Sequence, residues 1–112
     1  MAKMKQSLIE GLLPLPTAVF HMLLALSEGE RHGYALKREI LRRTGGKLNL
    51  GSGALYGSIN RMLEQGLIEE SDERRRYYRI TPLGRRVAQA EAVRMRQLVR
   101  LAEDRLGLPE LA

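Results

Sequence analysis

The chain has 112 residues, 44% of them hydrophobic, with no Cys, no Trp, one Phe and four Tyr. That length makes one domain whose modest core is built from Leu, Ile, Val, Ala and Met. Without Cys there is no disulfide framework, thiol nucleophile or thiolate metal site. The formal net charge of +6 has a local origin: six arginines (74, 75, 76, 79, 85 and 86) crowd into residues 74–86 with no acid, leaving 13 of the 19 basic residues to balance the 13 acids elsewhere. A basic patch on an otherwise neutral body suggests a polyanionic partner. Lys3 and Lys5 are followed by Glu10, Pro14 and Pro16, which interrupt any signal-like apolar region, and no apolar run approaches the length of a membrane span. The expected location is the cytoplasm, with no membrane partner.

In chain order, Met4, Leu8, Ile9, Leu12 and Leu13 have roughly helical spacing, so residues 1–13 read as a short helix or a frayed terminus. Pro14 and Pro16 punctuate, and Thr17 can cap a helix running to about Ser27. Val19, Phe20, Met22, Leu23, Leu24 and Leu26 leave that helix little polar face, which marks it as the central one. Glu28 to Glu30 form a turn. His32-Gly33-Tyr34 opens a helix to about Arg43, with Leu36, Ile40 and Leu41 inward. Gly45-Gly46 ends it, and Lys47 to Leu50 read as a short extended segment.

Residues 52–66 form the next helix, with Ser52 expected as its N-cap and Gly66 as its left-handed C-terminal cap. Leu55, Ile59, Met62 and Leu63 share one helical face. The other carries Gly53, Tyr56, Gly57, Asn60, Arg61 and Glu64: slim at its start, then supplied with groups that can reach bases and phosphates. Taken alone, this is equally a groove-reading helix or an ordinary surface helix. Leu67–Ser71 and Arg76–Ile80 read as two strands around a tight Asp72–Arg75 turn. Helix, helix, short strand, helix, strand, turn and strand is the winged helix-turn-helix order. Thr81-Pro82 starts a last helix to about Leu106, stopped by Gly107 and Pro109. Ala88, Ala92, Met95, Val99, Ala102 and Leu106 alternate four- and three-residue steps, as in a helix–helix seam. A helix of about 25 residues reaches about 37 Å, further than so small a core can cover, and a second copy of the chain is the favoured partner for its far end.

These residues resemble the PadR family of bacterial transcriptional regulators, in its smaller type with one C-terminal helix. The resemblance runs from Leu15 to about Leu106. It rests on Leu24-Ala25-Leu26, His32-Gly33-Tyr34, Gly53-Ala54-Leu55-Tyr56 with Leu63 and Gly66-Leu67-Ile68, and Arg74 to Thr81 followed by Gly84. It implies a mainly α fold with a small β-hairpin wing: an N-terminal segment (1–13), a winged helix-turn-helix DNA-binding domain (14–81), a C-terminal dimerisation helix (82–107) and a tail (108–112). It further implies a homodimer that represses transcription from a pseudo-palindromic operator in double-stranded DNA and is released by a small-molecule effector of unidentified chemistry, with no cofactor. Two features depart from the family: the wing turn is short, and no Trp is present for the aromatic pore that some relatives have at the dimer interface. The residues expected on DNA are Lys47, Ser52, Gly53, Tyr56, Gly57, Asn60, Arg61, Arg74, Arg75 and Arg76. Those expected at the dimer interface are Leu8, Leu12, Ala88, Ala92, Met95, Leu98, Val99, Ala102 and Leu106. The rival reading, a winged helix used only for protein contact, would favour apolar or acidic residues where Asn60 and Arg61 stand. An enzyme is rejected, because His21 and His32, the only histidines, have no spacing that makes a metal site or triad.

Overall fold

The computed structural model describes residues 2–110, with side chains from Gln6 onward; Met1 and the last two residues of the expected tail lie outside the described residues. The elements are α1 (Ala2–Gly11), α2 (Thr17–Leu26), β1 (Arg31–His32), α3 (Gly33–Arg43), α4 (Ser52–Glu64), β2 (Ile68–Glu70), β3 (Tyr77–Ile80) and α5 (Pro82–Leu106). The expected N-terminal helix is therefore present as α1. The apolar α2 lies at the centre: Met22, Leu23, Ala25 and Leu26 are essentially inaccessible, packed with Leu36 and Ile40 of α3, Leu55, Ile59 and Met62 of α4, and Leu67, Ile68, Tyr78 and Val87. Burying each Leu, Ile, Val or Met among them contributes about 1.5–3 kcal/mol.

Three sequence expectations are corrected. The short strand is not Lys47–Leu50, which has no strand partner; it is β1, at Arg31–His32. β1 pairs antiparallel with β3 (Arg31 opposite Tyr78, His32 opposite Tyr77), and β2 pairs with β3's other edge (Ile68 opposite Ile80, Glu70 opposite Tyr78), so β3 is central in the order β1-β3-β2. Two isolated residues have no periodicity to read, and only tertiary pairing makes them a strand. Neither Thr17 nor Ser52 caps its helix: Pro16 and Gly51 occupy the N-cap positions, without a side-chain cap hydrogen bond, and Thr17 and Ser52 are the first helical residues. Finally, the wing turn is not a tight Asp72–Arg75 turn. Ser71 N–H donates to Tyr77 O at 2.7 Å, and Arg76 leaves the strand with φ of +61°, which widens the loop to residues 72–76.

Other local signals act as read. Gly66 has φ of +74° just past α4, and Thr81 caps α5 by accepting from Gly84 N–H at 3.0 Å with Pro82 beside it. Gly84 is required by crowding, since a Cβ there would lie 2.0 Å from the Leu67 carbonyl oxygen. The first half of α5 belongs to the common core through Gly84 and Val87. It is also tied to the α1–α2 linker by Glu91, which is 2% exposed. The Glu91 carboxylate accepts from Leu15 N–H at 2.7 Å and pairs with Arg94. The second half of α5 projects away from the core: Leu98, Val99, Leu101 and Leu106 are 56, 48, 52 and 83% exposed. The projection raises the radius of gyration to 15.5 Å, against about 13 Å for a compact domain of this length.

Candidate nucleic-acid interface

α4 buries Leu55, Ser58, Ile59 and Met62 and turns Gly53, Gly57, Asn60, Arg61 and Glu64 to solvent, with Ser52 exposed at its start. Nothing lies within 4 Å of where a Cβ would stand on Gly51, Gly53 or Gly57. A glycine inside a helix costs about 0.5–1 kcal/mol relative to Ala. Gly53 and Gly57 bear that cost with no close packing inside the chain to require them. They leave a bare strip of helix backbone, bordered by the Ser52 hydroxyl and the Asn60 amide.

One edge of this strip meets the wing. Tyr56, expected on the outer face, is half-buried at the junction of α3, α4 and the wing. Its hydroxyl is buried without a hydrogen-bond partner and lies 2.8 Å from where a Cβ on Gly33 would stand. Its ring packs edge-on to Tyr34, 6.1 Å between centroids, and the Arg76 guanidinium sits over it at 5.4 Å. Gly33 N–H also donates to the Arg76 carbonyl at 3.0 Å, so Arg76 fastens the wing root to both α3 and α4. Beside it His32 caps α3, its Nδ1 accepting from Tyr34 N–H at 3.1 Å. The His32 ring stacks on Tyr34 and meets Tyr77 edge-on, and Arg74 lies 5.1 Å above the Tyr77 ring. His32 is thus a structural cap. The sequence pointed to this cluster only as separate pieces, His32-Gly33-Tyr34 and Tyr77-Tyr78; their joining through β1 was not legible.

The arginines divide by whether an acid holds them. Arg79, counted in the basic run, is neutralised across the hairpin by Glu69 at 2.7 Å, with Glu30 and Asp72 at 3.9 Å. That hydrogen bond to Glu69 raises the Arg79 guanidinium above its ordinary value. Arg42 and Arg43 are likewise engaged by Glu39, whose carboxyl they lower to about 2. Arg61, Arg74, Arg75, Arg76 and Lys47 make no ion pair among the described residues. Arg74, Arg75 and Arg76 stand exposed on the wing, Lys47 in the loop before α4. Arg61 lies on the other edge of α4, lining a cleft of about 120 Å³ with Leu12, Leu15, Pro16, Val19 and Gln65. The fold therefore gathers Ser52, Gly53, Gly57 and Asn60 on one open face and the three wing arginines along its border. It moves Tyr56 inside and sets Arg61 toward the α1–α2 linker. Among the described residues no group of acids and histidines could hold a metal ion, and no helix is long and apolar enough to cross a membrane.

This arrangement has relatives. A transcriptional regulator from Clostridium thermocellum, Cth-833, superposes with a TM-score of 0.69 at 23% identity, covering 89% of this chain and 95% of its own. RosR of H. salinarum superposes with a TM-score of 0.64 at 24% identity, covering 87% of this chain and 99% of RosR, and has also been solved in complexes designated S1, S4 and SG. In sequence the chain is 37% identical over 79 residues to an uncharacterized 37.1 kDa protein in transposon TN4556 of Streptomyces fradiae, a match that spans 69% of this chain but 22% of that protein. The model of the transcriptional regulator PadR-like family matches residues 22–90, from the middle of α2 through the wing into α5. With that family's model over more than half of its length, on a winged helix with a three-stranded sheet, the chain belongs to the PadR-like family of transcriptional regulators.

Proposed function

We propose that the protein represses transcription as a homodimer that lays two α4 helices into successive major grooves of a pseudo-palindromic operator, half-sites about 10 bp apart. The observation that carries this reading is the bare strip at Gly53 and Gly57, a backbone surface with no internal packing reason to be bare. On it a duplex approaches closely, Ser52 and Asn60 meet phosphate and base edges, and Asn60 suits an adenine. Arg74, Arg75 and Arg76 neutralise backbone phosphates from the wing, contributing affinity rather than sequence choice. Lys47 and Arg61 reach phosphates at the two ends of α4. Tyr56 acts from behind, setting the angle between α4 and the wing. Residues 14–81 carry recognition and 82–107 pair the two copies, with Leu8, Leu12, Ala88, Ala92, Met95, Leu98, Val99, Ala102 and Leu106 along the seam. A small molecule releases the operator. The rival reading, a winged helix for protein contact alone, leaves the unpaired arginines beside the strip without a role.

The two glycines give the test. Gly57→Ala should stabilise the isolated protein by about 0.5–1 kcal/mol while weakening binding to an operator obtained by selection at least tenfold, about 1.4 kcal/mol. Thermal melting and fluorescence anisotropy read the two effects. Equal operator affinity in Gly57→Ala, or wild-type binding that does not weaken with added salt, would rule the groove reading out.

A further inference from the structure

We propose that the outer face of α5 is a second DNA-contacting surface, which holds a separate duplex while α4 and the wing hold the operator. Arg85, Arg86, Arg96 and Arg100, with Gln89 and Gln97 between them, lie on the helix face turned away from Val87 and Glu91, and all six are exposed. The only acid from 85 to 100 is Glu91, which is buried on the opposite side and already paired with Arg94. Of the other arginines, Arg31, Arg42, Arg43, Arg79 and Arg94 each face a carboxylate, while Arg38, Arg61, Arg74, Arg75, Arg76 and Arg105 make no ion pair among the described residues. The four arginines of the row have none among the described residues.

The row is unfavourable to the helix that bears it. Arg85 and Arg86 sit in the first turn, where positive charge opposes the macrodipole. Arg96 and Arg100 are like charges one turn apart, which costs a few tenths of a kcal/mol. Its form fits duplex DNA. From Arg85 to Arg100 the helix rises about 22 Å, and a duplex presents about 13 phosphate charges over that length. Residues 82–106 contain no aromatic side chain, so there is no stacking platform for single strands. Val93, 42% exposed, is the one apolar side chain within the row, too little for the row to insert into a lipid surface as an amphipathic helix does.

The row also stands apart from the operator-facing surface. α5 starts at the base of the wing, where Thr81 Oγ1 donates to the Gly66 carbonyl just past the C-terminal end of α4. Thirteen residues of α4, about 19 Å of helix, separate that point from its N-cap at Gly51. Arg96 and Arg100 lie a further 15 and 19 residues along α5 from Thr81, about 22 and 28 Å of helix, so a duplex on α4 and the wing leaves that half of the row open to another segment.

The proposal rests on the reading of α4 and the wing as the operator surface, and its test separates the two. The row variant is Arg96→Gln with Arg100→Gln; both side chains are exposed and unpaired, so its helix content should match wild type and its melting temperature should match or slightly exceed it, the like-charge pair being gone. Operator duplex is held on beads, and a labelled duplex of unrelated sequence, about 30 bp, is offered at about 0.1 M salt. Wild type should retain the labelled duplex. The row variant should bind operator within about twofold yet retain at least fivefold less of it, and its salt slope for the unrelated duplex should fall by about 2. Equal retention by the two proteins, or none by wild type, overturns the proposal. Failure of wild type to bind operator would strike the α4 reading instead, and direct titration of the unrelated duplex against both proteins would still decide the row. Binding of the row to phosphatidylglycerol vesicles but not to duplex would replace the proposal with a membrane surface.

Discussion

Tyr56 carries a phenol whose hydroxyl is buried with no partner, and an unsatisfied buried hydroxyl costs about 1–3 kcal/mol. Tyr56→Phe should therefore leave stability unchanged or raise it, and should leave operator affinity unchanged, because the hydroxyl faces Gly33 rather than the outside. Gly33→Ala drives a methyl to 2.8 Å from that oxygen and 3.1 Å from the ring. It should destabilise by about 1–3 kcal/mol, and the Phe substitution in the same chain should recover part of the loss. Thermal melts of the four proteins give the coupling, and strict additivity would reject the contact. Tyr56 also marks where sequence reasoning stopped at this scale. Helical periodicity places Leu55, Ile59 and Met62 correctly inside, but Tyr56 lies at the edge of that face. Which way an edge residue turns is decided by a glycine more than twenty positions away and by Arg76 across the wing, neither of which a helical wheel contains.

At the scale of elements, signals carried by local chemistry were legible. Thr81-Pro82 starts α5, Gly66 ends α4, and the apolar α2 is central. What escaped depends on a distant partner: β1 exists only because β3 pairs with it, and Glu91 looks like one more surface charge until Leu15 comes to it. A signal for Glu91 was present, since it falls between Val87 and Met95 on the apolar stripe, where a charge needs a reason. Its hydrogen bond with Arg94, then that from the Leu15 amide, holds its carboxyl below the usual range despite the opposing effect of burial. A carboxyl lowered by folding stabilises above the unfolded value near 4.3 and loses that contribution as pH falls through the folded value. Glu91→Gln, which cannot titrate, should cost about 1–2 kcal/mol near pH 7, and the gap to wild type should narrow below about pH 4. Denaturant titrations at several pH values read this directly; a gap of constant size from pH 7 to 3 would remove Glu91 from the account.

For the whole molecule, the decisive quantity is the apolar surface that one copy leaves open on α5. Leu98, Val99, Leu101 and Leu106 are each about half exposed or more. Fully burying each contributes about 1.5–3 kcal/mol, so the eight side chains of two copies could gain on the order of 10 kcal/mol, discounted for their present partial burial. Association costs about 4–15 kcal/mol, so these side chains alone leave at most about 6 kcal/mol, a dissociation constant of tens of micromolar, and a tighter dimer needs the rest of the seam. A free tip is also unfavourable by itself, because an isolated stretch of about a dozen residues is a marginal helix in water. The melting temperature of wild type should therefore rise with protein concentration. Val99→Glu with Leu106→Glu should sediment as a monomer at micromolar concentration, melt independently of concentration, and exchange its amide protons faster beyond about residue 95. The core, which ends near Glu91, should keep its protection. The same variant should lose operator binding far beyond what its α4 and wing would suggest, because one half-site holds only part of the phosphate contacts and coupling the two supplies the rest. A monomeric wild type, or a monomeric variant that keeps full operator affinity, would mean that the seam of α5 serves something other than pairing two recognition helices.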